Sequence, residues 1–262
     1  MIRRISIAIC VLLLTAGCAQ RANPSFPLTV DQADKKIDEM SRTPRPFERP
    51  VLVLAGYNDL GVGPAFVAYK LHSVSDNQSE IVPISFQLFG DMESFRQHLI
   101  DVVEAKYPSK DRNQTTPVDV IGISLGGLVA RYAADPPDEK YKRLNIVHLY
   151  TISSPLAGAK VAQRFGWIDA MKQVKPDSPM IQRLNRPTAP SYELVCYTRL
   201  GDDTVGEHLA SPPGQPVWWV DTPPLSLAHD GAINDSRILA DIERRLRHEP
   251  PLASAPPAAL PE

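Results

Sequence analysis

Apolar and polar residues follow one another along this chain in a pattern that predicts strands and helices in alternation. Short, largely apolar runs are typical of strands buried on both faces of a sheet. Such runs lie at residues 51–54, 80–86, 118–123, 146–152, 193–197 and 217–220. Apolar residues at helical spacing lie at 29–42, 63–73, 92–106, 125–134 and 236–247. The alternation predicts an α/β fold, with a mostly parallel central sheet and helices on both faces.

The 262 residues are enough for a single domain of this kind, which we place at 47–248. Residues 18–46 precede it and are predicted to form a tether followed by a short helix. Residues 249–262 form a tail rich in proline and alanine. We expect this tail to be disordered, because it offers too little apolar surface for a core.

The composition is that of an ordinary globular protein, with 43% apolar residues, 22% charged residues and a net charge of −2. Lys and Arg form no basic stripe, which argues against nucleic acid as a partner. His and carboxylate residues show no metal-ligand spacing such as His-Glu-x-x-His. We therefore expect no metal and no other cofactor, and nothing in the sequence indicates an oligomeric state.

Residues 1–17 have the organisation of an export signal. Arg3 and Arg4 supply positive charge, 5–14 is apolar, and 15–17 are small residues. The apolar stretch is too short to span a bilayer, which takes about 20 residues. We therefore exclude this segment from the folded domain.

A cysteine follows the small residues at once, in the stretch Leu-Thr-Ala-Gly-Cys that ends at Cys18. This stretch resembles the lipobox of bacterial lipoproteins, in which the cysteine becomes the acylated first residue. Ala19 in place of Asp implies, by the same resemblance, the outer membrane facing the periplasm. The alternative is an ordinary secretory signal with a cysteine nearby by chance. Once Cys10 leaves with the signal, Cys196 is the single remaining thiol, and we expect it to be buried.

Ser124 lies between two glycines, in Gly-Ile-Ser-Leu-Gly at 122–126, after a predicted strand and before a predicted helix. A sharp turn at this point would raise the serine hydroxyl above the edge of the sheet, and it requires small neighbours. The N–H of Leu125 would face the same space. The stretch resembles the nucleophile elbow of α/β-hydrolases, in particular the lipase and esterase branch, and the order of strands and helices from 50 to 247 matches that fold.

A serine nucleophile needs a histidine base, which this family carries late in the chain. His229 lies between the last predicted strand and the last predicted helix, where the family has its catalytic histidine. His208 is the alternative. We expect His248, at the end of the closing helix, to be a solvated surface residue.

An acid that orients the histidine is expected after the strand at 193–197. Asp202 and Asp203 are both available in Gly-Asp-Asp-Thr-Val at 201–205. Adjacent residues on a turn point in different directions, so only one can face the imidazole. The stretch resembles the Gly-x-x-Asp-x-Val turn of the family, which assigns the role to Asp203 and leaves Asp202 as the alternative.

Stabilisation of an oxyanion needs a second N–H donor besides Leu125. Residues 54–59 resemble the His-Gly-x loop of bacterial lipases, which assigns the second donor to Tyr57. Ala55 stands where that family has histidine, and Leu156 replaces a second family histidine. We expect Asn58 or Asp59 to brace the loop instead.

The resemblance implies a serine hydrolase that cleaves carboxylic esters, including lipid esters, through an acyl-enzyme. It also implies a lid, which we place at 158–191. A thioesterase or acyltransferase is an alternative, because the same acyl-enzyme can be discharged differently. A binding lipoprotein on a hydrolase scaffold is another, favoured by the changes at Ala55 and Leu156.

The lipid anchor is testable in cells. In the Cys18→Ala variant the acylation site is removed, so we expect the protein to leave the membrane fraction or to accumulate unprocessed. Membrane fractionation with metabolic palmitate labelling is the measurement. Unchanged fractionation with unchanged labelling would contradict the lipobox prediction.

Overall fold

The structure is a computed structural model that describes residues 25–86, 90–165, 169–187 and 190–261. The predicted signal at 1–17, the predicted acylation site Cys18, and residues 166–168 and 188–189 of the predicted lid lie outside the described residues.

Six parallel strands form the centre of the fold, in the order β2-β1-β3-β4-β5-β6. They are β1 Val51–Leu54, β2 Ile81–Ile84, β3 Val118–Ile123, β4 Ile146–Ile152, β5 Glu193–Arg199 and β6 Val217–Val220. The predicted α/β fold with a parallel sheet is confirmed. The second strand is shorter than predicted, because Gln78–Glu80 forms a 3₁₀ turn in front of it.

Helices cover both faces of the sheet. They are α1 Val30–Ser41, α2 Val62–Val74, α3 Met92–Lys106, α4 Leu125–Ala134, α5 Lys160–Arg164, α6 Asp169–Gln173, α7 Pro179–Leu184, α8 Ala228–Gly231 and α9 Ser236–Leu246. One apolar cluster joins the sheet to α1, α2 and α9, and a second joins it to α3, α4 and α7. Within the described chain, no helix combines the length and apolar character needed to cross a bilayer.

Local sequence explains both the alternation of faces and the helix starts. Successive residues of β1 enter opposite clusters: Val51 contributes to the first and Leu52 to the second. α1 begins with a capping box, in which the side chain of Thr29 accepts a hydrogen bond from the N–H of Gln32 and the side chain of Gln32 accepts one from the N–H of Thr29.

The C-terminal tail is ordered against the edge strand β6, which corrects the expectation of a disordered tail at 249–262. The indole of Trp218 donates to the carbonyl of Ser254 at 2.6 Å, and that of Trp219 donates to the carbonyl of Ala258 at 2.9 Å. Both Trp side chains are buried, and a buried indole N–H requires an acceptor. The tail supplies these carbonyls and is thereby held against the last strand of the sheet.

A buried carboxyl group, that of Glu243, lies on α9. Glu243 is fully buried, and neither of its oxygens has a hydrogen-bond partner among the described residues. Burial raises the pKa of Glu243 from its ordinary 4.5 to about 8, although the charges of Lys70 and Arg247 act in the opposite direction. The folded protein therefore holds a proton on Glu243 that the unfolded chain releases. This stabilisation is complete below pH 4.5 and is lost as the pH rises to about 8.

The Glu243→Gln variant should lose this pH dependence, because a neutral amide replaces the titrating group. We expect its free energy of unfolding at pH 8 to exceed that of the wild type by an amount on the order of a few kcal/mol, with a much smaller difference at pH 5. Thermal or urea unfolding at both pH values is the measurement. Glu139→Gln, at an exposed position, is the control, and an equal gain in both variants would contradict the explanation.

Candidate active site

Ser124 occupies a sharp turn between β3 and α4. Its backbone has φ 48° and ψ −121°, and positive φ is unfavourable for residues other than glycine. The turn is held by close packing. A side chain at position 122 would collide with the backbone of Gly127, and one at position 126 would lie 2.6 Å from the carbonyl oxygen of Leu54. Glycine at 122 and 126 therefore allows the turn to close, as the predicted elbow requires.

The turn brings Ser124 to His229, which lies on α8 more than one hundred residues later. The Ser124 Oγ and the His229 Nε2 are 3.0 Å apart. The His229 Nδ1 lies 2.8 Å from the Asp202 Oδ2, and Asp202 is fully buried. The three side chains form one continuous chain of hydrogen bonds from carboxylate to hydroxyl.

The structure places Asp202, and not the predicted Asp203, beside the imidazole. The Oδ1 of Asp202 accepts hydrogen bonds from the N–H groups of Thr204 and Val205, both at 2.9 Å, which turns its carboxylate inward. Asp203 is 85% exposed and pairs with Lys160, with 2.6 Å between Nζ and Oδ1. Asp203 thus points to solvent, because the side chains of adjacent residues on a turn point in different directions.

Asp202 is held in its charged form. Burial alone would raise the pKa of its carboxyl, but the hydrogen bond and charge of His229 and the N–H groups of Val205 and Thr204 outweigh burial and hold the pKa of Asp202 below its ordinary value. An ionised Asp202 keeps a proton on Nδ1 of His229, which leaves Nε2 free to accept one from Ser124.

Arg199 fixes the loop that carries His229. Its guanidinium, almost fully buried at the end of β5, donates to Asp235 at 3.0 Å and to Ser226 at 3.1 Å. These two partners lie on either side of His229 in the chain. This role was not predicted from the sequence, although an arginine at the end of a largely apolar strand was a visible signal.

The loop after β1 closes over the nucleophile from the other side. A side chain at Gly56 would lie 3.2 Å from the Ser124 Cβ, a tight contact, so glycine favours this close approach. Tyr57 and Leu125, the two predicted oxyanion donors, both line the cavity in which Ser124 lies. Asp59 accepts hydrogen bonds from the first N–H groups of α2, including that of Val62 at 2.8 Å, and so braces the loop as expected.

The two positions where the family has histidine are filled by apolar packing. Ala55 and Leu156 are fully buried. His208, the alternative base, is exposed on the 3₁₀ turn Glu207–Leu209, away from the cavity lining. His248 is an exposed residue whose imidazole lies 2.8 Å from Glu48. In the described parts of the chain, no group of three or more His, Cys, Asp or Glu side chains is arranged to hold a metal ion.

A cavity of about 470 Å³ opens above Ser124. Part of its wall comes from the predicted lid segment, through Val161, Met171 and Val174. Ser153 also lines it and was not singled out by the sequence. Its backbone has φ 48°, and its buried hydroxyl has no partner among the described residues. The described wall is largely apolar, and an alkyl or acyl chain would fit it.

Comparison with known proteins supports the same fold. The model of the family described as the PGAP1-like alpha/beta domain matches residues 70–182. Curated protein sequences yield no significant match. Among solved structures, phospholipase PlaB from Legionella pneumophila in complex with thio-NAD is 16% identical, with a TM-score of 0.51 over 75% of this chain. This chain spans only 60% of that phospholipase chain.

A protein of Lactobacillus plantarum named as a cell surface hydrolase is 15% identical, with a TM-score of 0.50 over 78% of this chain and 93% of the other. At these identities the structural matches speak for the fold alone. Together with the partial family match, the all-parallel six-stranded sheet and the turn at Ser124, they show that the chain has an α/β-hydrolase-like fold.

Proposed function

We propose that this protein is a serine hydrolase that cleaves carboxylic esters through an acyl-enzyme. One observation carries the proposal. Ser124, His229 and Asp202 form an unbroken hydrogen-bonded chain, with distances of 3.0 and 2.8 Å, at a cavity with a largely apolar wall. Nucleophile, base and orienting acid in this geometry are the parts that acyl transfer requires.

The proposed reaction has two halves. The Oγ of Ser124 attacks the ester carbonyl while Nε2 of His229 removes its proton, and the imidazolium then protonates the leaving alcohol. In the second half, His229 removes a proton from water, the water attacks the acyl-enzyme, and the carboxylic acid is released. Asp202 holds the imidazole in the required tautomer and stabilises its positive charge.

The negative charge on the carbonyl oxygen would be stabilised by backbone N–H groups. Leu125 supplies the first from the start of α4, and Tyr57 supplies the second from the loop held close to Ser124 by Gly56. The cavity wall from the predicted lid would receive the acyl chain, which supports esters with an apolar acid part.

The proposal also includes a cellular location. An acylated Cys18 would hold the enzyme at the outer membrane, facing the periplasm, where lipid esters are at hand. This part rests on the leader pattern at residues 1–18.

Labelling of the nucleophile tests the proposal. A fluorophosphonate probe should label the wild type at Ser124, and p-nitrophenyl esters should be hydrolysed. Ser124→Ala should lose both labelling and at least about 10³-fold in kcat/KM. Ser154→Ala, which alters a neighbouring buried serine that donates to the carbonyl of Gly122, is the matched control and should remain labelled. A protein that neither labels nor hydrolyses any ester would be a binding protein on this scaffold.

Separate substitution of the two aspartates tests the assignment of the acid. Asp202→Asn should lower kcat by about 10²- to 10⁴-fold, because the amide favours the wrong tautomer of His229. Asp203→Asn should change kcat less than about threefold, since it removes only an exposed ion pair with Lys160. Steady-state kinetics on one ester at a fixed pH measures both, and a reversed order of the losses would overturn the assignment.

A further inference from the structure

Four large apolar side chains stand in solvent around the cavity. Leu60 and Val62 are 74% and 77% exposed, Leu225 is fully exposed and Leu227 is 70% exposed. The first two lie between β1 and the first turn of α2, and the other two lie between β6 and α8. The first segment supplies Asp59 and Val62 to the cavity lining, and α8, which directly follows the second segment, supplies His229 and Asp230. We call these four side chains the apolar rim.

Two residues of the apolar rim occupy backbone positions that favour other residue types. Leu225 has φ 63°, in the left-handed region where Asn and Gly are far more common. Leu227 is the N-cap of α8, where Asn, Asp, Ser or Thr would accept a hydrogen bond that leucine cannot. Neither backbone position favours leucine and both side chains are exposed, which is typical of apolar residues that contact a partner outside the folded chain.

We propose that the apolar rim docks into the surface of a lipid bilayer, with the mouth of the cavity facing the lipid. Exposed apolar side chains grouped around the opening of a largely apolar cavity would enter the interface and let an acyl chain pass from bilayer to site. The inference rests on the proposed function and deepens it, because it names an ester held in a membrane as the substrate.

The start of the described chain favours a bilayer over another protein as the occupant. Helices α1 and α9 lie side by side and run in the same direction. Ser236 donates to Asp34 near their starts, and Arg247 donates to the carbonyl of Met40 near their ends. Since α9 starts just after the segment that carries the rim, α1 starts near the same edge of the sheet.

The predicted acylation site is close to this edge along the chain. Cys18 precedes Ser25, the first described residue, by seven positions, and the carbonyl of Ser25 is held by a hydrogen bond from the N–H of Ser254. A fully extended chain of seven residues reaches at most about 25 Å. A lipid on Cys18 would therefore keep the apolar rim within reach of the bilayer that holds the lipid.

The charges of the cavity lining indicate which kind of lipid surface the apolar rim would bind. Asp59 and Asp230 line the cavity, and no Lys or Arg is found among the described lining residues. The described lining residues therefore supply no attraction to anionic headgroups. Docking should depend on apolar contact, should occur on zwitterionic lipid and should persist at high salt.

Sedimentation with phosphatidylcholine vesicles tests the docking. A chain that begins at residue 19 suits the test, because the whole described fold, with its sheet, both helical layers and the site, is built from residue 25 onward. The wild type should sediment with the vesicles. The double variant Leu225→Asn/Leu227→Asn should lower the partition coefficient at least about tenfold. Its melting temperature should equal or exceed that of the wild type, because Asn suits both backbone positions.

The matched control is Lys110→Asn/Arg112→Asn. These two exposed residues have the same spacing and lie in the loop before β3, at the opposite edge of the sheet. The control should bind as the wild type does. Absence of wild-type binding, loss of binding at high salt, or an equal loss in the control would each overturn the proposal. So would a dimer of the wild type that the leucine variant converts to monomer, because the rim would then bind a second copy of the chain.

The experiment separates this inference from the proposed function, because sedimentation is measured without turnover. Vesicle binding by a protein that hydrolyses no ester would leave the docking surface standing and remove the proposed function. Ester hydrolysis by a protein that does not bind vesicles would leave the proposed function standing and overturn the docking surface.

Discussion

The position of the Ser124 hydroxyl depends on how closely the start of α4 packs against the ends of β1 and β3. The backbone of Ser124 is held at φ 48° and ψ −121°, a sparsely populated conformation that costs about 1–3 kcal/mol for a residue with a Cβ. It persists because Gly122 and Gly126, which have no Cβ, allow the close packing that holds the turn. The cavity, the imidazole and the two N–H groups assigned to the oxyanion are all arranged around the one side chain that this turn presents.

Buried charges hold the other half of the site, and each has partners. Asp202 is satisfied by two backbone N–H groups and His229, and Asp235 by Arg199 and Arg237. Buried charges that lacked such partners would destabilise the fold strongly. Arg199 thus fixes the loop that carries His229 at both Ser226 and Asp235, while the side chains of Leu225 and Leu227, on either side of Ser226, are exposed.

Much of the architecture could be predicted from the sequence, because it follows from local rules. Strands buried on both faces are apolar throughout, and the turn at Ser124 requires glycine at fixed positions, so both leave clear patterns. The pairing of Ser124 with His229 was predicted because both residues lie at the positions along the chain where the α/β-hydrolases have their nucleophile and their base. The choice between Asp202 and Asp203 could not be made in this way, since it depends on which carboxylate accepts the N–H groups of the turn. The ordered tail was missed for a related reason: composition does not reveal that Trp218 and Trp219 need carbonyl acceptors.

The central claim is that Ser124 becomes acylated because His229 and Asp202 activate it as a unit. Rapid acid quenching during turnover of a p-nitrophenyl ester, followed by peptide mass analysis, tests this most directly. We expect the peptide that carries Ser124 to gain the mass of one acyl group, after a burst of about one p-nitrophenol per chain, and we expect His229→Ala to abolish both. An acyl group on another residue, or turnover that survives in the Ser124→Ala variant, would contradict it.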